Sequence, residues 1–195
     1  MASNIDPLIP PFGSPTTAGV RANFLAAKNE IGALQKQIGF ADYNDTATTS
    51  TPINVTAATW TKLTNNTLGV NTVRALPSGV TDVWNAVADQ LSLSECPVKT
   101  MLELRADLSI TTTSANQIVR SRLRVAIGSP AEFSLVGGGT QFKTAGTQDF
   151  VFNMPFYIGS DNTRLNPGEI QVWSDSSLTV VVRGWYIRVI KHLGV

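Results

Sequence analysis

Between residues 14 and 39 the apolar side chains recur at Val20, Phe24, Ala27, Ile31, Leu34 and Ile38, alternately four and three residues apart. That spacing is the 3.5-residue seam of a coiled coil, narrower than the stripe by which an ordinary amphipathic helix lies on its own domain. Phe24, Ile31 and Ile38 take the a positions, and Val20, Ala27 and Leu34 the d positions. The flanking e and g positions hold Arg21, Asn23, Lys28, Glu30, Gln35 and Gln37, all polar. Ser14 can cap such a helix, Pro15 suits its first position, and Gly39 is a natural stop. Gly19 and Gly32 each cost about 1 kcal/mol relative to alanine, and three heptads are marginal in isolation. Burial against copies of itself, or against a long partner helix, is therefore expected to hold it. The alternative is a helix lying across its own domain. Isoleucine at a with leucine at d favours two strands, but Phe24 and Ala27 break that rule, so the seam alone does not set copy number.

The rest of the chain reads as β-structure. Met101 to Ile110 alternates strictly, with Leu102, Leu104, Ala106, Leu108 and Ile110 on one face and charged or small polar residues on the other. A half-buried antiparallel strand requires this pattern. Val119 to Ile127 alternates again, and Phe150, Phe152, Met154 and Phe156 share one face of a third strand, which Pro155 places at an edge. Ile170 to Trp173 and Leu178 to Ile190 read as closing strands, with a bulge at Gly184. Short strands and turns at this spacing predict an antiparallel β-sandwich. The expected divisions are an extended, proline-rich arm over 1–13, a helical oligomerisation stem over 14–39, a linker over 40–52 and the sandwich over 53–195. In the arm, Leu8, Ile9 and Phe12 are too apolar for a solvated linker and are expected to dock on a groove of another protein, or on this chain or a copy of it.

The charged features point to recognition more than to catalysis. Net charge is +1 with 15% charged residues, so no strong field draws nucleic acid or a membrane surface. Arg120, Arg122 and Arg124 project together from one strand. They can grip an acidic partner or phosphates. The favoured reading pairs them with Glu103 and Asp107 across a hairpin, because net charge is near zero and no aromatic residue interleaves with them in sequence. Gly137-Gly-Gly139 lacks the lysine and glycine spacing of a phosphate loop and reads as a turn. His192 is the one histidine and Cys96 the one cysteine. Together they build neither a zinc site nor a nucleophile with its base. Asp161, Glu169 and Asp175 lie in or beside loops, where carboxylates are ordinarily solvated. No cofactor and no metal is expected. Trp173 and Trp185, with Asp161 and Asn162 of the polar loop over 159–168, form a candidate contact for sugar hydroxyls. No apolar run is long enough to span a membrane. The first residues lack the basic and apolar regions of a secretory leader, so synthesis in a host cytosol is expected.

The run SPTTAGVRANFLAAKNEIGAL from Ser14 to Leu34 resembles the N-terminal helix of small virion proteins of tailed bacteriophages. Trp84 to Thr113 and Phe156 to Ile187 resemble the first and closing halves of the sandwich that follows in such proteins. The resemblance implies a jelly-roll-like sandwich on a short helical stem, commonly a homotrimer. It implies a non-enzymatic role in the virion as capsid decoration (cement) or a short head fibre, with major capsid or tail proteins as partners. The chain lacks a long repetitive shaft, unlike a long tail fibre. A tail-fibre-type module recognising host surface glycans is the alternative.

Overall fold

The computed structural model describes the backbone of residues 17–35 and 37–191, and the side chains of 18–32 and 37–191. In chain order the elements are α1 (Thr17–Gln35), β1 (Ile38–Asn44), α2 (Ala47–Ser50), β2 (Ile53–Val55), β3 (Thr61–Lys62), β4 (Val73–Ala75), β5 (Trp84–Asn85), β6 (Gln90–Leu91), β7 (Met101–Thr112), β8 (Gln117–Val125), β9 (Phe133–Phe142), β10 (Gly146–Tyr157), α3 (Asp161–Leu165), β11 (Glu169–Ser174) and β12 (Leu178–Ile190).

Two antiparallel sheets face each other. The first runs β10-β7-β12-β1-β4, with β2 also on β12, and the second runs β3-β11-β8-β9; β5 and β6 form a separate ribbon. Taking β1, β3 and β7 to β12 as the principal strands, the pairs nest: β1 with β12, β3 with β11, β7 with β10, β8 with β9. A long hairpin rolled over on itself produces that nesting, which is the jelly-roll arrangement. Inward faces of both sheets supply one core, including Leu104 and Leu108 of β7, Val119 and Leu123 of β8, Phe152 and Met154 of β10, and Trp185 and Ile187 of β12. Each such side chain contributes roughly 1.5–3 kcal/mol on burial.

The expected strands over 101–110, 170–173 and 178–190 are present. A register shift between Val182 and Gly184 marks the expected bulge. Gly184 has a second reason to be glycine, because a Cβ there would lie 2.7 Å from the Tyr43 carbonyl oxygen.

Several expectations need correction. The helix ends at Gln35, and Ile38 and Gly39 begin β1, paired with Ile190 and Val189. Residues 40–52 are not a linker, since most of β1 and all of α2 lie there. The inward residues of β1 are Gly39, Ala41 and Tyr43, too mixed in size and polarity to register as alternation. Its most apolar residue after Ile38, Phe40, points outward and stacks on Tyr186 at 5.6 Å. Only residues 36 and 37 separate α1 from β1. Gly69–Thr72 is a turn, and β4 starts just after it at Val73.

Gly137 to Gly139 lie inside β9, not in a turn. They form a bulge opposite Ser121 and Arg122, with Gly138 at φ +103. A Cβ on Gly137 would come 2.7 Å from Ser121 Oγ. Finally, β7 and β8 do not pair: one belongs to each sheet. The chain crosses between sheets at 113–116. The buried Gln117 pins this corner, accepting from the Thr113 amide at 3.1 Å and donating to the Ser176 carbonyl at 2.7 Å.

Candidate functional site

Cross-strand pairing on the second sheet aligns Trp173 with Arg120 and Gln171 with Arg122, while Glu169 stands beside Arg124. These side chains alternate with the core-facing Val172, Ile170, Ser121 and Leu123, so they share the outer face. Trp60, just before β3, joins them from the sheet edge. The Arg122 guanidinium sits 4.2 Å from the Trp60 ring centroid, and that of Arg120 5.0 Å from the Trp173 centroid. Arg122 Nε donates to Gln171 Oε1 at 2.7 Å, and Gln171 Nε2 donates to Glu169 Oε2 at 2.9 Å. Arg124 pairs with Glu132 at 2.7 Å and lies 3.6 Å from Glu169. Lys62 Nζ lies 3.8 Å from Glu169. Among the described residues, neither Arg120 nor Arg122 has a carboxylate within ion-pair distance. Burial, together with the neighbouring Arg124, lowers the pKa of Arg122 from its ordinary value, yet an arginine stays charged.

The expected ion pairs of this row with Glu103 and Asp107 are absent because those residues lie in the other sheet. Glu103 pairs with Arg188 and Asp107 with Arg105. Aromatic residues do interleave with the arginines after all. They arrive from β11 and from the approach to β3, which sequence adjacency cannot show.

The sugar-contact set does not assemble. Trp173 is half-buried on the outer face. Trp185 is fully buried in the core, edge-on to Trp84 at 5.7 Å. The bulge at Gly184 shifts the alternation of β12 and turns Trp185 inward. Asp161 and Asn162 are exposed on α3, where Asp161 pairs with Arg164 at 2.9 Å. That helix precedes the Glu169 end of β11, and Trp173 lies four residues farther along, about 13 Å away along the strand. Cys96 is buried, which pushes its thiol up to about 11. Among the described residues no group of three or more metal-ligating side chains is placed to hold an ion. His192 lies outside the described residues.

Along α1, Phe24 is 72% exposed and Ile31 56% exposed, as is Leu25 beside the seam at 58%. Val20 and Ala27 are half-buried. Ile38 is 53% exposed, but at the start of β1 and not in the helix. The side chain of Leu34 and all of Leu8, Ile9, Phe12, Ser14 and Pro15 lie outside the described residues. The sandwich of the same chain leaves the Phe24 and Ile31 side chains of α1 exposed.

Two surface carboxylates hold loops. Glu95 accepts from the Thr81 amide at 2.6 Å and from the Thr81 hydroxyl at 2.9 Å, which keeps its pKa below the usual range. Glu132 is lowered by its bond to Arg124 and by the Gly128 amide at 3.1 Å. A carboxylate with a depressed folded pKa stabilises fully above its unfolded value and loses that contribution as pH falls through the folded one. Protection of the Thr81 and Gly128 amides from hydrogen exchange is thus expected to hold at neutral pH. It should fall on acidification below about pH 4, the unperturbed carboxylate range. Protection factors that stay constant through that acid range would rule out both clasps.

No family model and no curated protein matches this chain. Among solved structures it is similar to the PRD1 vertex protein P5, at 15% identity over 80% of this chain and 73% of that one, with a TM-score of 0.42. It is similar to a chain in the structure of infectious bursal disease virus Gt strain, at 12% identity over 72% of this chain and 33% of that one, TM-score 0.36. It is also similar to Eiger TNF from S. frugiperda, at 10% identity over 82% and 95% of the respective chains, TM-score 0.37. The fold is that of a mainly β protein: two antiparallel sheets in jelly-roll order, preceded by a helix.

Proposed function

We propose that this protein is a non-enzymatic structural component of a bacteriophage particle, a capsid decoration or short head-fibre protein that assembles as a homotrimer. The observation that carries the reading is the pair Phe24 and Ile31, one heptad apart and both exposed on a helix that closely precedes the first strand of the first sheet. Apolar surface of this kind is stabilised by burial against identical helices. Three copies of α1 then form the stem, and each sandwich follows from it. The sequence resemblance to small virion proteins of tailed bacteriophages supports the same reading. Attachment is assigned to the apolar arm, with Leu8, Ile9 and Phe12 as its anchors on a capsid or tail protein.

Deleting residues 2–13 tests this. The truncated protein is expected to keep its β-rich circular dichroism and its oligomeric mass, yet to be missing from purified particles when their proteins are quantified. Particles carrying the truncated chain at full occupancy would remove the arm as the anchor.

A further inference from the structure

The outer face of the second sheet matches none of the needs of a stem or an attachment arm. It carries two indoles, each against a guanidinium, and both of those cations lack a carboxylate partner among the described residues. The other arginines of β7, β8 and β12 are neutralised: Arg105 by Asp107, Arg124 by Glu132, Arg183 by Asp149 and Arg188 by Glu103. Charge left uncompensated on one face, beside half-buried aromatic rings, is what a ligand-binding surface needs.

We propose that this face binds a carboxylated polysaccharide, with Arg120 and Arg122 pairing its carboxylates and Trp60 and Trp173 stacking against its sugar rings. Stacking on an indole orders each guanidinium before the ligand arrives. Arg122 spends its Nε on Gln171, which leaves its terminal nitrogens for a bidentate carboxylate. The two arginines stand two residues apart on β8, about 7 Å along the strand, so they address successive charges on an extended chain. Three features favour a sugar acid over other anions. Net charge is only +1, far from the basic excess that phosphate-backbone binding requires. The face is polar through Lys62, Gln171, Glu169 and the arginines, unlike the charge-depleted centre of a protein interface. The indoles supply flat apolar surface for ring C–H faces, which an acidic peptide does not use. This inference does not depend on the virion reading.

The test uses the full-length protein and NMR of the indole N–H signals, of which there are four. The probes are oligogalacturonate, in which every ring carries a carboxylate, neutral galactan, polyglutamate and oligothymidylate. Oligogalacturonate is expected to shift the Trp60 and Trp173 signals saturably, and more strongly at low ionic strength. Trp84 and Trp185, both buried, stay in place and report that the chain is folded. Arg120→Ala and Arg122→Ala should each weaken binding by about tenfold or more, and Arg120→Lys should recover only part of the loss because it lacks the planar fork. Arg105→Ala, on the other sheet, should bind as wild type. No saturable shift, equal binding of galactan, tighter binding of polyglutamate or oligothymidylate, or arginine variants that bind unchanged would each overturn the proposal.

Discussion

Ile31→Lys is expected to release the assembly into single chains of 20.9 kDa, read as mass by light scattering. On an isolated chain the substitution is mild: Ile31 is more than half exposed, and a surface change of that kind falls within about 0.5 kcal/mol. In a seam the same change removes roughly 1.5–3 kcal/mol of burial per copy and places several ammonium groups together out of water, at several kcal/mol more. The two cases therefore give opposite results from one variant. A seam predicts loss of mass with the β-rich spectrum retained. A monomeric protein predicts no change in mass, because there was no assembly to lose, and that outcome would dismiss the stem. Phe24→Lys should behave alike, since it occupies the preceding a position on the same helix.

Trp185→Ala should destabilise the sandwich severely. The side chain is fully buried between the sheets and meets Trp84 edge-on, so truncation leaves a large cavity and costs about 3–5 kcal/mol. For a domain of this size each kcal/mol lowers the melting temperature by about 2–4 °C, so a drop on the order of 10 °C is expected in a thermal scan. Its indole N–H has no hydrogen-bond partner among the described residues. Trp185→Phe therefore removes an unsatisfied donor along with part of the ring, and it should cost clearly less than the alanine variant. Trp173→Ala, on the outer face, should cost less still. Equal melting temperatures for Trp185→Ala and Trp173→Ala would contradict the assignment of one to the core and the other to the surface.

These two tryptophans show what the sequence can and cannot convey. Alternation along β7 and β10 is visible because leucine and phenylalanine repeat every second residue, and the core faces of both strands follow from it. Alternation also identifies the arginine row as outward. What it cannot reveal is the neighbour. The parity of β7 and β8 suits an in-plane hairpin and a crossing between sheets equally well, so Glu103 and Asp107 looked like partners for arginines that face the opposite side of the molecule. Trp185 is not legible as a core residue because one extra residue before Gly184 inverts the faces beyond it, and a glycine marks a bulge without giving its size. Trp60 carries no signal of its contact because its partner Arg122 lies on β8, reached along the chain only after β3 to β7. The stretch over 40–52 read as a linker for a simpler reason. The inward positions of β1 are Gly39, Ala41 and Tyr43, two small residues with almost no hydrophobic signal and one polar-tipped ring.

The nesting of β1 with β12 has a consequence for synthesis on the ribosome. Thr48 Oγ1 donates to the Val182 carbonyl across 134 residues, and β1 pairs along its whole length with β12. The helix emerges well before β12, the neighbour of its adjoining strand. Non-local pairings of this kind form slowly, so growing chains on one message hold finished helices next to unfinished sandwiches for the length of translation. On the proposed stem, nascent copies on adjacent ribosomes can then meet through α1 before any of them has closed its sandwich.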